Sequence, residues 1–318
     1  MIRTRGRGLR RILSWAPALG LAPDPRRRPP GISAVVRVKN EEEWIEPCLL
    51  SVAGAVDELV VVDNGSTDRT PEILERVGDV LGPKLKRFSR PGLDHVALSS
   101  FAFAQATYRW ALKWDGDFVA RTSGPHAIAG LRARVLALPA ARHFHVRLTC
   151  VELMGDLWHQ CAGWELRREP FTSVLSPGLR WMRVVRTLDA PPPGWPRILR
   201  DPRAPFTTQF EDVRVPLYYE VAQWDEPYFF HLQVKKPRRM YLRDCWADWA
   251  ENRALQGRFA SLEDYALHRA RRVWDVRTLD EAAEAYMARV RDLLIPYSVE
   301  RFGEHPEMLK PYLDAARR

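Results

Sequence analysis

No stretch of this 318-residue chain approaches the roughly 18 uninterrupted apolar residues of a membrane-crossing helix, and its beginning lacks the continuous apolar core of a secretory signal. A spanning or signal-exported protein is therefore not expected. Cysteine is sparse: Cys48, Cys150, Cys161 and Cys245 form no Cys-x-x-Cys pair. That spacing indicates neither a zinc site nor a disulfide framework, and points to reduced thiols in the core. The bulk of the chain also lacks a charge excess. The formal net charge is +9, but residues 1–30 hold eight arginines (Arg3, Arg5, Arg7, Arg10, Arg11, Arg26, Arg27, Arg28) against Asp24 alone, a local +7 that leaves +2 for everything after. A nucleic-acid binder carries its basic face on the folded domain, so no nucleic-acid partner is expected. No internal repeat is present.

The 46% hydrophobic and 28% charged residues suit a globular protein long enough to bury one large core or two smaller ones. Within the leader, Leu9-Arg-Arg-Ile-Leu-Ser-Trp15 interleaves apolar and cationic residues before Pro17 and the run Arg26-Arg-Arg-Pro-Pro30. Residues 1–30 are accordingly expected to be a disordered or membrane-associating leader, the second state giving peripheral contact with an anionic membrane. The expected location is the cytoplasm or the inner face of the cytoplasmic membrane.

Beyond the leader, Ile32–Val38 and Glu58–Asp63 are short, β-branched and unbroken, as buried strands are. A helix is expected from the acids Glu41–Glu43 through Val52, and another over Pro71–Val77 with Thr70 as its N-cap and Pro71 in the first helical position. A further helix is expected over Ala97–Ala111, leading into a strand around Trp110–Trp114. Alternating strand and helix imply a parallel sheet in a nucleotide-fold-like α/β unit. The Pro-rich stretch from Asp189 to Pro205 reads as a surface loop, Tyr228–Val234 as a strand, and Ser261–Arg291 as helical. The expected divisions are residues 31–125, 126–250 and a helical extension over 251–318.

Asp115-Gly116-Asp117 ends the apolar-rich stretch before it, placing two carboxylates at the tip of a buried strand. Such a pair can hold a divalent metal, and Gly116 lets a bulky anion approach the backbone, whereas an ordinary turn accounts equally well for Asp and Gly alone. Two other segments shift that balance. Val60-Val-Val-Asp-Asn-Gly-Ser-Thr-Asp-Arg-Thr70 resembles the nucleotide-binding segment of family 2 glycosyltransferases, and Ser33-Ala-Val-Val-Arg-Val-Lys-Asn-Glu-Glu42 resembles that family's first strand and Asn-Glu loop. Asp115 then falls 52 residues after Asp63, about where the family keeps its metal-binding Asp-x-Asp. Three motifs in order are far more specific than any one.

The resemblance, which covers roughly residues 32–120, implies an α/β nucleotide-diphospho-sugar transferase (glycosyltransferase A) fold: a mostly parallel central sheet flanked by helices, here with a helical C-terminal region. It implies a metal-dependent, inverting transfer from a nucleoside diphosphate sugar, most simply uridine-linked, to a saccharide or lipid-linked acceptor, with bacterial surface polysaccharide as the setting. Mn²⁺ or Mg²⁺ would hold the departing diphosphate. By resemblance Asp117 is the direct metal ligand, Asp115 lies nearer the ribose or sugar, and Asp63 and Asn64, with Ser66 beside them, contact the nucleoside, aided by the loop that includes Arg37, Lys39 and Glu42. Asn64 stands where the family often has a second Asp. His231 is a third metal or diphosphate candidate, with a packed core histidine as the other reading, and Lys235, Lys236, Arg238 and Arg239 either meet an anion or form a solvated run. For the base that takes the acceptor's proton, Glu211 and Asp212 are the best match and Glu165 the next. Among Trp158, Trp164, Trp181, Trp195, Trp224, Trp246 and Trp249, Trp195 in the Pro-rich loop is the one expected to stack on a sugar. A sugar-phosphate nucleotidyltransferase is a rival, weakened because Val38-Lys39-Asn40-Glu41 contains no glycine for a phosphate loop; a noncatalytic nucleotide-sugar binder is another.

Overall fold

A computed structural model describes residues 7–168, 170–188, 206–249 and 253–315. After a short helix α1 (Arg7–Leu13), the chain alternates β1 (Ile32–Val38), α2 (Ile45–Ala53), β2 (Glu58–Asp63), α3 (Thr70–Leu81), β3 (Leu85–Ser89), α4 (His95–Ala104) and β4 (Trp110–Asp115). These four strands lie side by side in the order β3-β2-β1-β4, all parallel. Helices cover both faces of such a sheet, which is why β1, β2 and β4 are nearly continuous apolar runs rather than alternating ones.

The sheet continues with β5 (Phe118–Ala120), helix α5 (Ile128–Leu136), β6 (His143–Met154), β7 (His159–Cys161), β8 (Leu166–Arg167), β9 (Phe171–Val174), β10 (Arg180–Leu188), β11 (Phe206–Arg214) and β12 (Tyr219–Gln233). The full order is β3-β2-β1-β4-β9-β6-β12-β5, with β8 beside β6, while β10 and β11 form a separate antiparallel ribbon. β6 and β12 are parallel to each other, and β9 and β5 run against their neighbours. Helices α6 (Pro237–Trp249), α7 (Arg253–Arg258), α8 (Leu262–Arg271) and α9 (Leu279–Arg291) follow, then β13 (Leu294–Pro296) paired with β7, and α10 (Val299–Phe302) and α11 (Lys310–Ala315). Tyr241, Cys245, Ala266, Ala283 and Tyr286 gather in a second core that α6, α8 and α9 share. Among the described residues no helix is long and apolar enough to cross a membrane, and all four cysteines are buried without a disulfide.

Several local expectations shift. The helix drawn over 97–111 ends at Ala104, because Trp110–Asp115 pairs with β1 from Ile32 onward and strand pairing claims Ala111. Thr70 does not cap α3 with its side chain: its hydroxyl accepts the Glu41 amide at 2.7 Å, and Asp68 accepts the Thr70 amide at 2.9 Å. The strand around Tyr228 begins nine residues earlier, at Tyr219, and accommodates Pro227 at an irregularity in its pairing with β6. Residues 261–291 are two helices, each with its own N-cap, Ser261 and Thr278. The helical layer starts at Pro237 rather than 251, and the sheet crosses the 125/126 division, since β5 pairs with β12 and β9 with β4.

The leader is not a loose tail from residue 7 onward. Arg10 donates to the Pro216 carbonyl at 2.7 Å, Arg142 donates to the Ser14 hydroxyl at 2.6 Å, and Arg28 donates to the Ala106 carbonyl at 2.6 Å. Three arginine or hydroxyl groups are thus committed to the body of the protein. The Pro-rich loop with Trp195 lies outside the described residues.

Candidate active site

Parallel register puts the ends of β1, β2 and β4 level: Val38 pairs with Asp63, and Arg37 with Asp115. Ligands bind at that edge of an open α/β sheet. Two loops are laced together there. Asn40, with φ of 57°, donates its amide to Ser66 Oγ at 2.8 Å and accepts from the Thr67 amide at 2.7 Å. Ser66 in turn donates through its hydroxyl to Asp63 Oδ1 at 2.6 Å. Glu42 accepts from the Arg69 amide at 3.2 Å and from Lys236 at 2.5 Å. Among the described residues Asp63 Oδ2 has no partner, leaving an acceptor at the tip of β2. Asn64 is different: its side chain donates to the Leu93 carbonyl at 3.0 Å and accepts from the Leu93 amide at 3.1 Å. That side chain clamps the 91–93 turn, so its amide is already engaged where nucleoside contact was expected. The Lys39 side chain is exposed, while its carbonyl accepts from Arg239 at 3.4 Å.

The two carboxylates of Asp115-Gly116-Asp117 have separate surroundings. Asp115 accepts from Arg37 at 3.0 Å and from Lys113 at 2.7 Å. Burial alone would raise its pKa, but Lys113 and Arg37 outweigh burial and hold it below the usual carboxylate range. Asp117, only 3% exposed, faces Lys235 at 2.9 Å, His231 at 3.4 Å and Arg243 at 3.4 Å. Burial again opposes ionisation there, and Lys235, His231 and Arg243 reverse it. Gly116 packs closely against the β1 loop: a Cβ at this position would stand 3.0 Å from Val38 Cγ1 and 3.1 Å from Glu41 Cγ. The β1 loop, rather than an anion, uses the space.

His231 sits opposite Glu152 in the β6–β12 register, and its Nδ1 lies 2.8 Å from Glu152 Oε2. Burial lowers its pKa, Glu152 and Asp117 raise it, and the balance is about 9. His231 combines both readings: it is buried edge-on against Phe118, with ring centroids 5.0 Å apart, and is charge-linked to Glu152 and Asp117. A carboxylate on one ring nitrogen that orients the other nitrogen toward a ligand is the usual outer support of a metal-binding histidine. Asp117 Oδ1 and His231 Nε2, 3.4 Å apart, are close to the separation of two ligands on one small cation. Among the described residues no group of three or more His, Cys, Asp or Glu side chains forms a metal cage. The pair fits an ion that takes one or two protein ligands and completes its shell from substrate oxygens. Asp115, drawn away by Arg37 and Lys113, is not part of that pair. Sequence reasoning missed Glu152, although a lone acid within the apolar run Cys150-Val151-Glu152-Leu153-Met154 is itself a signal. It also missed Lys113, Ser99, Gln233 and Arg243.

The three base candidates separate. Glu211 pairs with Arg37 and accepts from the Ser99 hydroxyl at 2.5 Å, so it joins the Asp115 group. Asp212, its neighbour on β11, points to the other face and has Arg147 at 3.7 Å. Glu165 accepts from the Gly163 amide at 3.3 Å within its own turn and touches neither Asp115 nor Asp117. Trp181 reaches the site, its ring 5.7 Å from the Arg37 guanidinium.

Residues 33–123 match the family described as Glycosyl transferase family 2. An uncharacterized glycosyltransferase of Rickettsia typhi is 37% identical over 86 residues, 27% of this chain and 27% of that protein. A TPR repeat-containing protein of Synechococcus elongatus is 40% identical over 86 residues, 27% of this chain and 20% of its own. The chain thus spans about a quarter of the length of the curated relatives it matches. Among solved structures, a Pyrobaculum calidifontis mannosyltransferase in complex with GDP-mannose and Mn²⁺ is 17% identical over 98% of this chain and 88% of that one, with a TM-score of 0.39. The mostly parallel sheet with its helical C-terminal layer is a nucleotide-diphospho-sugar transferase (glycosyltransferase A) fold. Residues 33–123, which carry Asp63, Asp115 and Asp117, are thus the segment similar to glycosyl transferase family 2.

Proposed function

We propose that the protein is a metal-dependent, inverting glycosyltransferase that moves a sugar from a nucleoside diphosphate sugar, uridine-linked, to a saccharide or lipid-linked acceptor of the bacterial surface. The observation that carries this reading is the placement of Asp63, Asp115 and Asp117, all within the family 2 segment, at one sheet edge, where His231 of β12 meets Asp117. Asp63 takes the nucleoside through its open oxygen, and Asp115 lies nearer the ribose or sugar. A divalent ion held by Asp117 and His231 supplies positive charge for the departing diphosphate. Glu211, held by Arg37 and Ser99, accepts the proton of the acceptor hydroxyl.

Peripheral membrane contact belongs to the same reading. Leu9, Ile12, Trp15, Leu19 and Leu21 are all more than half exposed, so the docked leader still presents apolar side chains outward. Thermal unfolding with UDP, GDP or TDP, each with and without Mn²⁺, tests the donor site. At a ligand concentration near 100 Kd the expected stabilisation is about 2.7 kcal/mol, greatest with UDP and Mn²⁺. No shift with any of the three overturns the proposal.

A further inference from the structure

A cavity of about 630 Å³ lies between the 23–28 segment of the leader, the C-terminal half of α4 and the start of β10. Its walls are largely apolar, with Phe103, Leu175 and Trp181 among them, yet three arginines, Arg27, Arg28 and Arg180, also line it. Among the described residues the side chains of Arg27 and Arg180 make no ion pair or hydrogen bond. His143 lines the cavity while fully buried, and neither of its ring nitrogens has a partner; the buried Trp181 indole N–H has none either. Those sealed atoms do not face the cavity space, but an apolar wall edged by cations suits an amphiphilic anion.

The cavity adjoins the active site. Ser99, which bonds both Arg37 and Glu211, precedes Ser100 in the cavity wall by one residue of α4. Trp181 belongs to both, facing Arg37 at 5.7 Å and lining the cavity. At the other end the lining includes Pro23 and Pro25, just after the exposed Leu19 and Leu21.

Resting on the glycosyltransferase reading, we infer that this cavity holds the phosphate and first part of the tail of a lipid-linked acceptor, with the acceptor hydroxyl directed to Glu211. The phosphate meets Arg180, Arg27 and Arg28, the first part of the tail lies against Phe103, Leu175 and Trp181, and the rest leaves beside the apolar leader.

Calorimetric titration of the full chain with decyl phosphate, kept below its micelle concentration, tests this against decanol and glucose 1-phosphate. Decyl phosphate should bind at least about tenfold more tightly than either. Arg180→Ala and Arg27→Ala should each weaken it about tenfold, as loss of a charge-assisted contact does. Ala104→Trp, which fills the cavity from α4, should abolish binding while UDP with Mn²⁺ still raises the melting temperature. Decyl phosphate binding that survives Ala104→Trp, or no binding at all, overturns the inference. Equal binding of glucose 1-phosphate, lost in the same variants, overturns the lipid-linked source in favour of a soluble phosphorylated acceptor. Nucleotide stabilisation without decyl phosphate binding sinks only this inference; decyl phosphate binding without nucleotide stabilisation sinks the glycosyltransferase reading on which its acceptor role rests.

Discussion

Arg37 on β1 and Glu211 on β11 are 174 positions apart in sequence and share an ion pair, while the same guanidinium holds Asp115 at 3.0 Å. One cation thereby ties the Asp115 carboxylate on β4 to the Glu211 carboxylate on β11. Arg37→Ala leaves both carboxylates without their common partner, and removal of one member of a buried ion pair costs about 3–5 kcal/mol. The expected result is a lower melting temperature and a drop in transfer of about a hundredfold or more. Arg37→Lys should restore little of the activity, because a point charge cannot serve two carboxylates in a fixed fork. Steady-state kinetics together with thermal unfolding distinguish these outcomes from simple unfolding.

Glu211→Gln keeps the side-chain shape and removes the proton acceptor. Transfer should fall by about 10²–10⁴-fold, while UDP and Mn²⁺ continue to stabilise the protein. Asp212→Asn, on the opposite face of β11, should stay within a few-fold of the parent. The reverse ranking would assign the proton transfer to Asp212.

Asp117→Asn and His231→Gln each remove half of the pair proposed to hold the ion. Stabilisation by UDP should lose its dependence on Mn²⁺ in both variants, and a chelator should reduce the parent to the same level. Asp117→Asn also leaves the fully buried Lys235 side chain with Glu41, at 2.7 Å, as its remaining anionic partner. A stability loss of about 1–3 kcal/mol is expected from that change alone. Mn²⁺-dependent stabilisation that persists in Asp117→Asn would remove the ligand assignment.

Glu307 accepts from the Thr122 hydroxyl at 2.8 Å and from the Thr122 amide at 3.1 Å, and also pairs with the Ser123 hydroxyl. Burial would raise its pKa, but the Ser123 and Thr122 bonds bring it down to about 2 from an ordinary 4.5. A depressed folded-state pKa contributes stability above the unfolded value, and that contribution disappears as pH falls from about 4.5 toward 2. Glu307→Gln should therefore lose on the order of 1 kcal/mol at pH 7, allowing for solvent screening, and match the parent more closely near pH 2.5. Urea unfolding at both pH values provides the comparison, and an equal deficit at both would refute the ionic origin.

The N-terminal half was readable because its information is local. Val60–Asp63 is a buried strand by composition, its turn residues follow directly, and parallel strands of equal length bring Asp63 and Asp115 level. The other half depends on partners brought from far away. Glu152 and His231 meet only because β6 and β12 pair in one particular register across an irregularity at Pro227, which no spacing in the sequence encodes. Glu211 and Asp212 were inseparable as adjacent acids, and only the facing of β11 divides them. Asn64 misled for the opposite reason: its motif position suggested a ligand contact, but the Leu93 backbone consumes its amide.

Because Cys48, Cys150, Cys161 and Cys245 are all buried, the native protein presents no ready thiol to a surface reagent. A single cysteine placed at exposed Lys39 or Arg238 would therefore take a fluorescent or spin label selectively, without first stripping the core of its own sulfur. The molecule comes prepared for distance measurements between the loop after β1 and the helical layer.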